Sequence, residues 1–261
     1  MTSDYAIRTD RIRLLYFIQR APHLTYEEFD KYWEEVHGPL FVSIGIAKKN
    51  IHRYEQLTVD QESKTKLQTI WPNIPDYDGI IVFEADSIEK LGELVSDEEW
   101  TTKVVPDAVK FINLETAKYM FCHTAPIINT KPSSKDNGVR LVANVIRKQG
   151  MTFEEFDRYW VEEHATVVAD YPGVRDALGL YEQLHIVKDG VPPEIPQDKF
   201  VTKLTTEWDG VAFIDGESFE ALAQILSEES YFKVRSEDEN KFVNMQATPG
   251  MPMRVRVLIG S

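Results

Sequence analysis

His37, His52, Tyr54 and Asp78 are the residues of this sequence whose types and spacing can move protons. His164, Tyr181 and Asp209 form a second such set further along. An imidazole works as a general acid or base near neutral pH. A phenol can protonate or orient an enolate or carbonyl oxygen. A carboxylate pressed against apolar strands can have its pKa raised until it acts as a base. Each residue also has a plain structural role open to it. His37 and His164 can cap helices by bonding the last carbonyls, His52 can be an exposed strand histidine, and Tyr54 and Tyr181 can be half-buried tyrosines bonded to backbone. Asp78 and Asp209, each followed by glycine, can be strand-entry turn residues. Trp33, Trp71, Tyr77 and Gln56 are the candidate substrate-binding residues. Trp71 stands in the loop Trp71-Pro72-Asn73-Ile74-Pro75, which suits a wall over a planar ligand.

Other chemistries lack their signatures. There is no glycine-rich phosphate loop, no GxSxG elbow and no HExxH, so nucleotide binding, the serine-hydrolase elbow and a zinc site have no support. The single cysteine, Cys122, excludes an internal disulfide and covalent haem attachment. The expectation is therefore no metal and no cofactor, although non-covalent haem has no spacing of its own to be searched for. With 29 basic against 43 acidic residues the net charge is −14, and no basic patch interleaved with aromatics offsets it. Nucleic acid is thus not an expected partner. The apolar stretch Leu14 to Ile18 is too short for a membrane span or signal core. A cytoplasmic protein with a hydrophobic small-molecule partner and no membrane partner is expected.

The elements that must position these residues come in two copies. Thr25 to His37 reads TYEEFDKYWEEVH and Thr152 to His164 reads TFEEFDRYWVEEH, an offset of 164 − 37 = 127. Tyr54-Glu55-Gln56-Leu57 recurs at the same offset as Tyr181-Glu182-Gln183-Leu184. Asp78-Gly79 and Phe111-Ile112-Asn113 recur at an offset of 131, as Asp209-Gly210 and Phe242-Val243-Asn244. Length alone leaves 261 residues open to one large domain or two small ones, and the repeat selects two. Residues 1–124 and 139–261 are the expected modules, and 125–138, rich in Pro, Ser, Asn and Gly, the linker.

Within each copy an apolar strand (Arg11 to Arg20, Val139 to Arg147) leads to a helix opened by a capping box, Thr25 with Glu28 and Thr152 with Glu155. Gly38-Pro39 should end the first helix, leaving His37 at its C-terminus, where the helix dipole favours the imidazolium. The Tyr54 and Tyr181 strands should put Tyr and Gln on one face and Glu and Leu on the other. His52 shares the face of Tyr54, and its counterpart is Gly179, so the common fold does not require it. A third strand, a broken second helix and a last strand complete βαββαβ. The fold class expected is α+β: two ferredoxin-like βαββαβ modules in one chain, packing sheet to sheet as a pseudo-dimeric α+β barrel.

The opening strand, LTYEEFDKYWEEVHGPL (Leu24 to Leu40), the aromatic strand around Tyr54 and the start at Asp78-Gly79 resemble the EthD-type proteins of the dimeric α+β barrel superfamily. The likeness covers most of residues 11–122 and, more weakly, 139–247. The second copy has His164-Ala165-Thr166 where the first has His37-Gly38-Pro39. Tandem chains of this kind are similar to proteins of fungal secondary metabolism. The resemblance implies a cofactor-independent lyase or isomerase (a dehydratase, cyclase or decarboxylase, or a pericyclic catalyst) acting on a phenolic or polyketide-like intermediate. His37 would be its acid or base, with Tyr54 and His52 orienting an oxygen. The alternatives it carries are a cofactorless or haem-dependent monooxygenase or oxidoreductase, and a non-catalytic small-molecule binding protein. A monomeric pseudo-dimer or a homodimer is expected.

Overall fold

A computed structural model describes residues 5–69, 71, 73–130, 138–188 and 202–260. The strands are β1 (Arg8–Ile18), β2 (Arg53–Val59), β3 (Gly79–Ala85), β4 (Lys118–Asn129), β5 (Val139–Val145), β6 (Leu180–Ile186), β7 (Lys203–Leu204), β8 (Gly210–Gly216) and β9 (Gly250–Ile259). Eight of them pair antiparallel in the cyclic order β1-β3-β2-β9-β5-β8-β6-β4, and β4 returns to β1. The short β7 lies parallel to β4 outside this ring. The fold is α+β, as expected, but two ferredoxin-like sheets stacked face to face do not describe it. β2 hydrogen-bonds to β9 and β4 to β6, so edges that two separate sheets would expose are joined into one closed barrel. β4 continues to Asn129, five residues into the expected linker. Of the rest of that linker, residues 131–137 lie outside the described residues.

The period-two alternation of the strands sorts side chains between barrel interior and helix layer. Leu15, Phe17, Leu57, Val82, Met120, Phe213 and Met253 fill the interior. Leu14, Tyr16, Tyr54 and Phe83 face outward under the helices of the first copy, and Leu141, Ala143 and Tyr181 under those of the second. Tyr54 and Leu57 thus lie on opposite faces of β2, as the sequence pattern requires.

Charged side chains lie with the interior core, and four of them are related by the repeat. Arg13 and Arg140 are equivalent by the 127 offset, as are Glu55 and Glu182. Arg13 donates to Glu84 at 2.8 Å and to Glu182 at 2.6 Å. Arg140 donates to Asp215 at 2.6 Å and to Glu55 at 2.8 Å. Each arginine therefore holds one acid of its own half and one of the other. Cys122 is also interior, and burial pushes its thiol well above the usual range. Among the described residues no helix is long and apolar enough to cross a membrane.

Both capping boxes form. Thr25 Oγ1 accepts the Glu28 N–H at 3.2 Å and the Glu28 carboxylate accepts the Thr25 N–H at 2.8 Å, and Thr152 with Glu155 repeats both distances. Gly38-Pro39 does not end the first helix. The helix Tyr26–Tyr32 runs into a π-helical turn, Trp33–His37, and then into Gly38–Ser43. The wider turn lets the Gly38 N–H reach the Trp33 carbonyl. Pro39 then falls in the first turn of the next segment, where a missing N–H is tolerated. The second copy repeats this as Phe153–Tyr159, Trp160–His164 and Ala165–Ala169. Its departure from Gly-Pro therefore changes nothing in the local backbone. The second helix of each copy is broken, as expected, at Asp97 in Ile88–Ala108 and at Glu228 between Phe219–Ser227 and Glu229–Phe242.

Candidate active site

The π turn ends on the histidine in both copies, and such turns are frequent at functional sites. His37 is buried, with Nδ1 2.9 Å from Asp107 Oδ2, and Asp107 Oδ1 accepts the hydroxyl of Tyr32 at 2.7 Å. Burial pushes the His37 imidazole below its usual 6.5, and the attraction of Asp107 opposes this without reversing it. The helix-dipole expectation of an imidazolium is thereby corrected, because loss of water outweighs it. Burial also works against ionised Asp107, but hydrogen bonds from Tyr32, His37 and Lys110 hold its carboxyl below the usual 3.8. The consistent state is a neutral imidazole whose Nδ1–H donates to a carboxylate. Nε2 then carries the lone pair, and among the described residues it has no hydrogen-bond partner.

Tyr54 is held beside it by the same π turn. Its hydroxyl oxygen accepts the Trp33 indole N–H at 3.2 Å and the Gln56 amide at 2.9 Å, and that amide also donates to the Trp33 carbonyl at 2.9 Å. With its oxygen occupied by two donors, the phenol keeps its own proton to offer. Burial pushes its pKa up to about 12, so it stays protonated. His37 and Tyr54 both line an apolar cavity of about 50 Å³, with Tyr16, Phe83 and Trp100 among its walls.

The second copy builds the same arrangement. His164 Nδ1 lies 2.8 Å from Asp238 Oδ2, and Tyr159 donates to Asp238 at 2.6 Å. Gln183 bonds the Trp160 carbonyl at 2.8 Å and the Tyr181 hydroxyl at 3.1 Å. His164 and Tyr181 line a cavity of about 60 Å³. The hydrogen-bonded set of the first half is thus repeated in the second.

Asp107 and Asp238 were not among the sequence candidates. Their signal was present, since both precede Lys-Phe-x-Asn and both obey the 131 offset.

The structure places the remaining candidates elsewhere. Trp33 is fully buried and positions Tyr54 without lining the cavity. Its ring lies on Gly79, where a Cβ would come within 2.6 Å of it, and Trp160 lies on Gly210 in the same way. Gln56 supports the π turn. Asp78 accepts the Arg20 backbone N–H at 2.9 Å and pairs with its guanidinium, and Asp209 does the same for Arg147. These two acids brace strand ends, each occupied by an arginine and its backbone N–H. His52 precedes β2, partly exposed, 2.9 Å from Asp86, and lines neither cavity. Tyr77 is buried beside Phe17, and its hydroxyl donates to Asn144 at 2.9 Å.

Trp71 reaches across the molecule. Its indole N–H donates to the Thr248 carbonyl at 2.8 Å, and its ring lines the cavity of the second copy, not the first. Pro72 of that loop lies outside the described residues. Thr202, 131 residues on, lines the first cavity. Each half thus contributes one loop residue to the cavity of the other.

A porphyrin must bring its centre to a ligating nitrogen with the macrocycle spread on every side. Cavities of about 50 and 60 Å³ have no room for that, whereas a planar substrate need present only an edge. Neither of these two histidine-lined cavities fits haem.

The EthD domain family model matches residues 21–115 and 148–246. No curated protein matches the chain. Among solved structures, a candidate monooxygenase from Fusobacterium nucleatum is similar with a TM-score of 0.60 at 9% identity, over 97% of this chain and 94% of that one. An anthrone oxidase-like protein is similar with a TM-score of 0.56 at 10% identity, over 97% and 96%. A candidate monooxygenase from Lactobacillus acidophilus NCFM is similar with a TM-score of 0.54 at 12% identity, over 97% and 98%. At these identities the likeness is one of fold. All three names are oxidative and none is that of a lyase or isomerase, which overturns the leading expectation of a cofactor-independent dehydratase, cyclase, decarboxylase or pericyclic catalyst.

Proposed function

The chain belongs to the EthD domain family, with one copy in each half, and from that premise we propose that it is an oxidoreductase that applies dioxygen to a hydrophobic phenolic or anthrone-like compound. The observation that carries this reading is the neutral His37, its Nδ1–H held by Asp107, at the wall of the apolar cavity that Tyr54 also lines.

Such a pair suits oxidation without a cofactor. Nε2 removes a proton from an acidic C–H beside the aromatic system, and the Tyr54 hydroxyl donates to the oxygen on which the charge settles. The resulting electron-rich anion passes one electron to dioxygen. The two radicals combine to a peroxide anion, which takes the imidazolium proton to become a hydroperoxide; Nε2 then removes the second C–H proton as the C=O forms and the O–O bond breaks, and the departing hydroxide takes that proton back as water. One CH₂ and one O₂ give one C=O and one H₂O. Apolar walls favour dioxygen, and exclusion of water strengthens the Tyr54 contact. The neighbour with an anthrone oxidase-like name supports the substrate class. Modules 1–124 and 139–261 act as one unit in this reading, and because one chain closes the barrel and supplies residues to both cavities, a monomer suffices as the working form.

The test uses an oxygen electrode with anthrone as the probe. The purified protein should consume one O₂ for each ketone formed and show no Soret band. Conversion that continues without oxygen, or a wild-type rate in His37→Ala, would contradict the proposal.

A further inference from the structure

The linings of the two cavities differ at several equivalent positions, and the two that differ in charge lie one helical turn apart. In the first copy these are Val104 and Ala108; in the second, 235 − 104 = 131 and 239 − 108 = 131 residues on, they are Arg235 and Glu239. An exposed arginine on a helix would pass without comment. This one lines a largely apolar cavity, with its side chain only 13% exposed.

Its donors are incompletely used. One terminal nitrogen donates to the Leu226 carbonyl at 3.2 Å, and the other stands 3.5 Å from Glu239, beyond the 2.7–2.9 Å of a good charge-assisted bond. Nε is buried and has no partner among the described residues. A buried donor without an acceptor is costly, and a guanidinium presents Nε and one terminal nitrogen as a fork that matches a carboxylate. On a chain of net charge −14, an anion binds only where a cation is locally aimed at it. Walls such as Trp71, Leu141 and Tyr181 suit the ring of the same ligand.

We propose that the second cavity is a binding site for a small aromatic anion, a carboxylate or phenolate, held by Arg235, whereas the first cavity takes neutral ligands. The proposal concerns binding at a different cavity and does not depend on the oxidative reading, so either can fail alone.

The probes are benzoate and its neutral counterpart benzyl alcohol, titrated by ligand-observed NMR without turnover. Benzoate should bind the wild-type protein, and Arg235→Gln should weaken it by about tenfold or more while leaving benzyl alcohol unchanged. Glu239→Gln, which removes the competing carboxylate, should tighten benzoate binding, a gain that a misfolded protein cannot produce. Absence of benzoate binding at millimolar concentration, an unchanged affinity in Arg235→Gln, or weaker binding in Glu239→Gln would overturn the proposal.

Discussion

Asp107→Asn should lower the oxidative turnover by about 10²- to 10⁴-fold with little change in KM. The carboxylate fixes the imidazole so that Nδ1 carries the proton and Nε2 the lone pair, and an amide can accept that proton or donate its own, allowing the wrong tautomer. The pH profile separates this from a structural role. Asp107 raises the His37 pKa, so its removal drops that pKa further below 6.5, and the acid limb of the rate profile should move to lower pH. His37→Ala should lose a similar factor and abolish that limb. If Asp107→Asn reduced activity without moving the acid limb, Asp107 would be only a helix brace.

Arg140→Ala should destabilise the fold by about 3–5 kcal/mol, read from urea unfolding followed by circular dichroism. Arg140 is fully buried, and its loss leaves Glu55 and Asp215 without their shared cation inside the barrel. Burial works against ionised Glu55, but Arg140, with Arg53 and Arg13, holds its carboxyl at about 2. The sign follows from the depressed value. The wild-type contribution of Glu55 is complete above 4.5 and is lost as pH falls toward about 2. In Arg140→Ala the carboxyl should instead take up a proton readily, so the deficit against wild type should shrink on acidification. Replacing Arg140 by Met together with Glu55→Leu and Asp215→Leu should recover most of the loss, since a packed apolar set avoids the desolvation of charge. A change under about 1 kcal/mol for Arg140→Ala would show that the exchanged ion pairs do not hold the halves together.

What the sequence revealed was local and periodic. The capping boxes at Thr25 and Thr152, and the assignment of Tyr54 and Gln56 to one face with Glu55 and Leu57 to the other, depend only on spacing along the chain. His37 and Tyr54 could be singled out because each repeats at a constant offset. Asp107 was missed because it lies 70 residues from His37, and only its equivalence with Asp238 marked it. The π turn escaped notice since Gly38-Pro39 reads as a helix stop unless the turn before it is widened. That Trp71 lines the cavity of the second copy was not legible, because nothing in a sequence says that a loop crosses to the other repeat. Barrel closure was misjudged for the same kind of reason. The pairings of β2 with β9 and β4 with β6 join strands from different repeats, and strand patterns alone do not encode which edges meet. The contacts of His52 and Asp78 were not legible either, because their partners, Asp86 and Arg20, come from other segments.

A neutral His37 with its proton on Nδ1 is measured most directly by the ¹⁵N NMR titration of its imidazole in the intact protein. The predicted spectrum at neutral pH shows a protonated Nδ1 and an unprotonated Nε2, with conversion to imidazolium only below 6.5. An imidazolium at neutral pH, or a proton on Nε2 instead, would contradict the account.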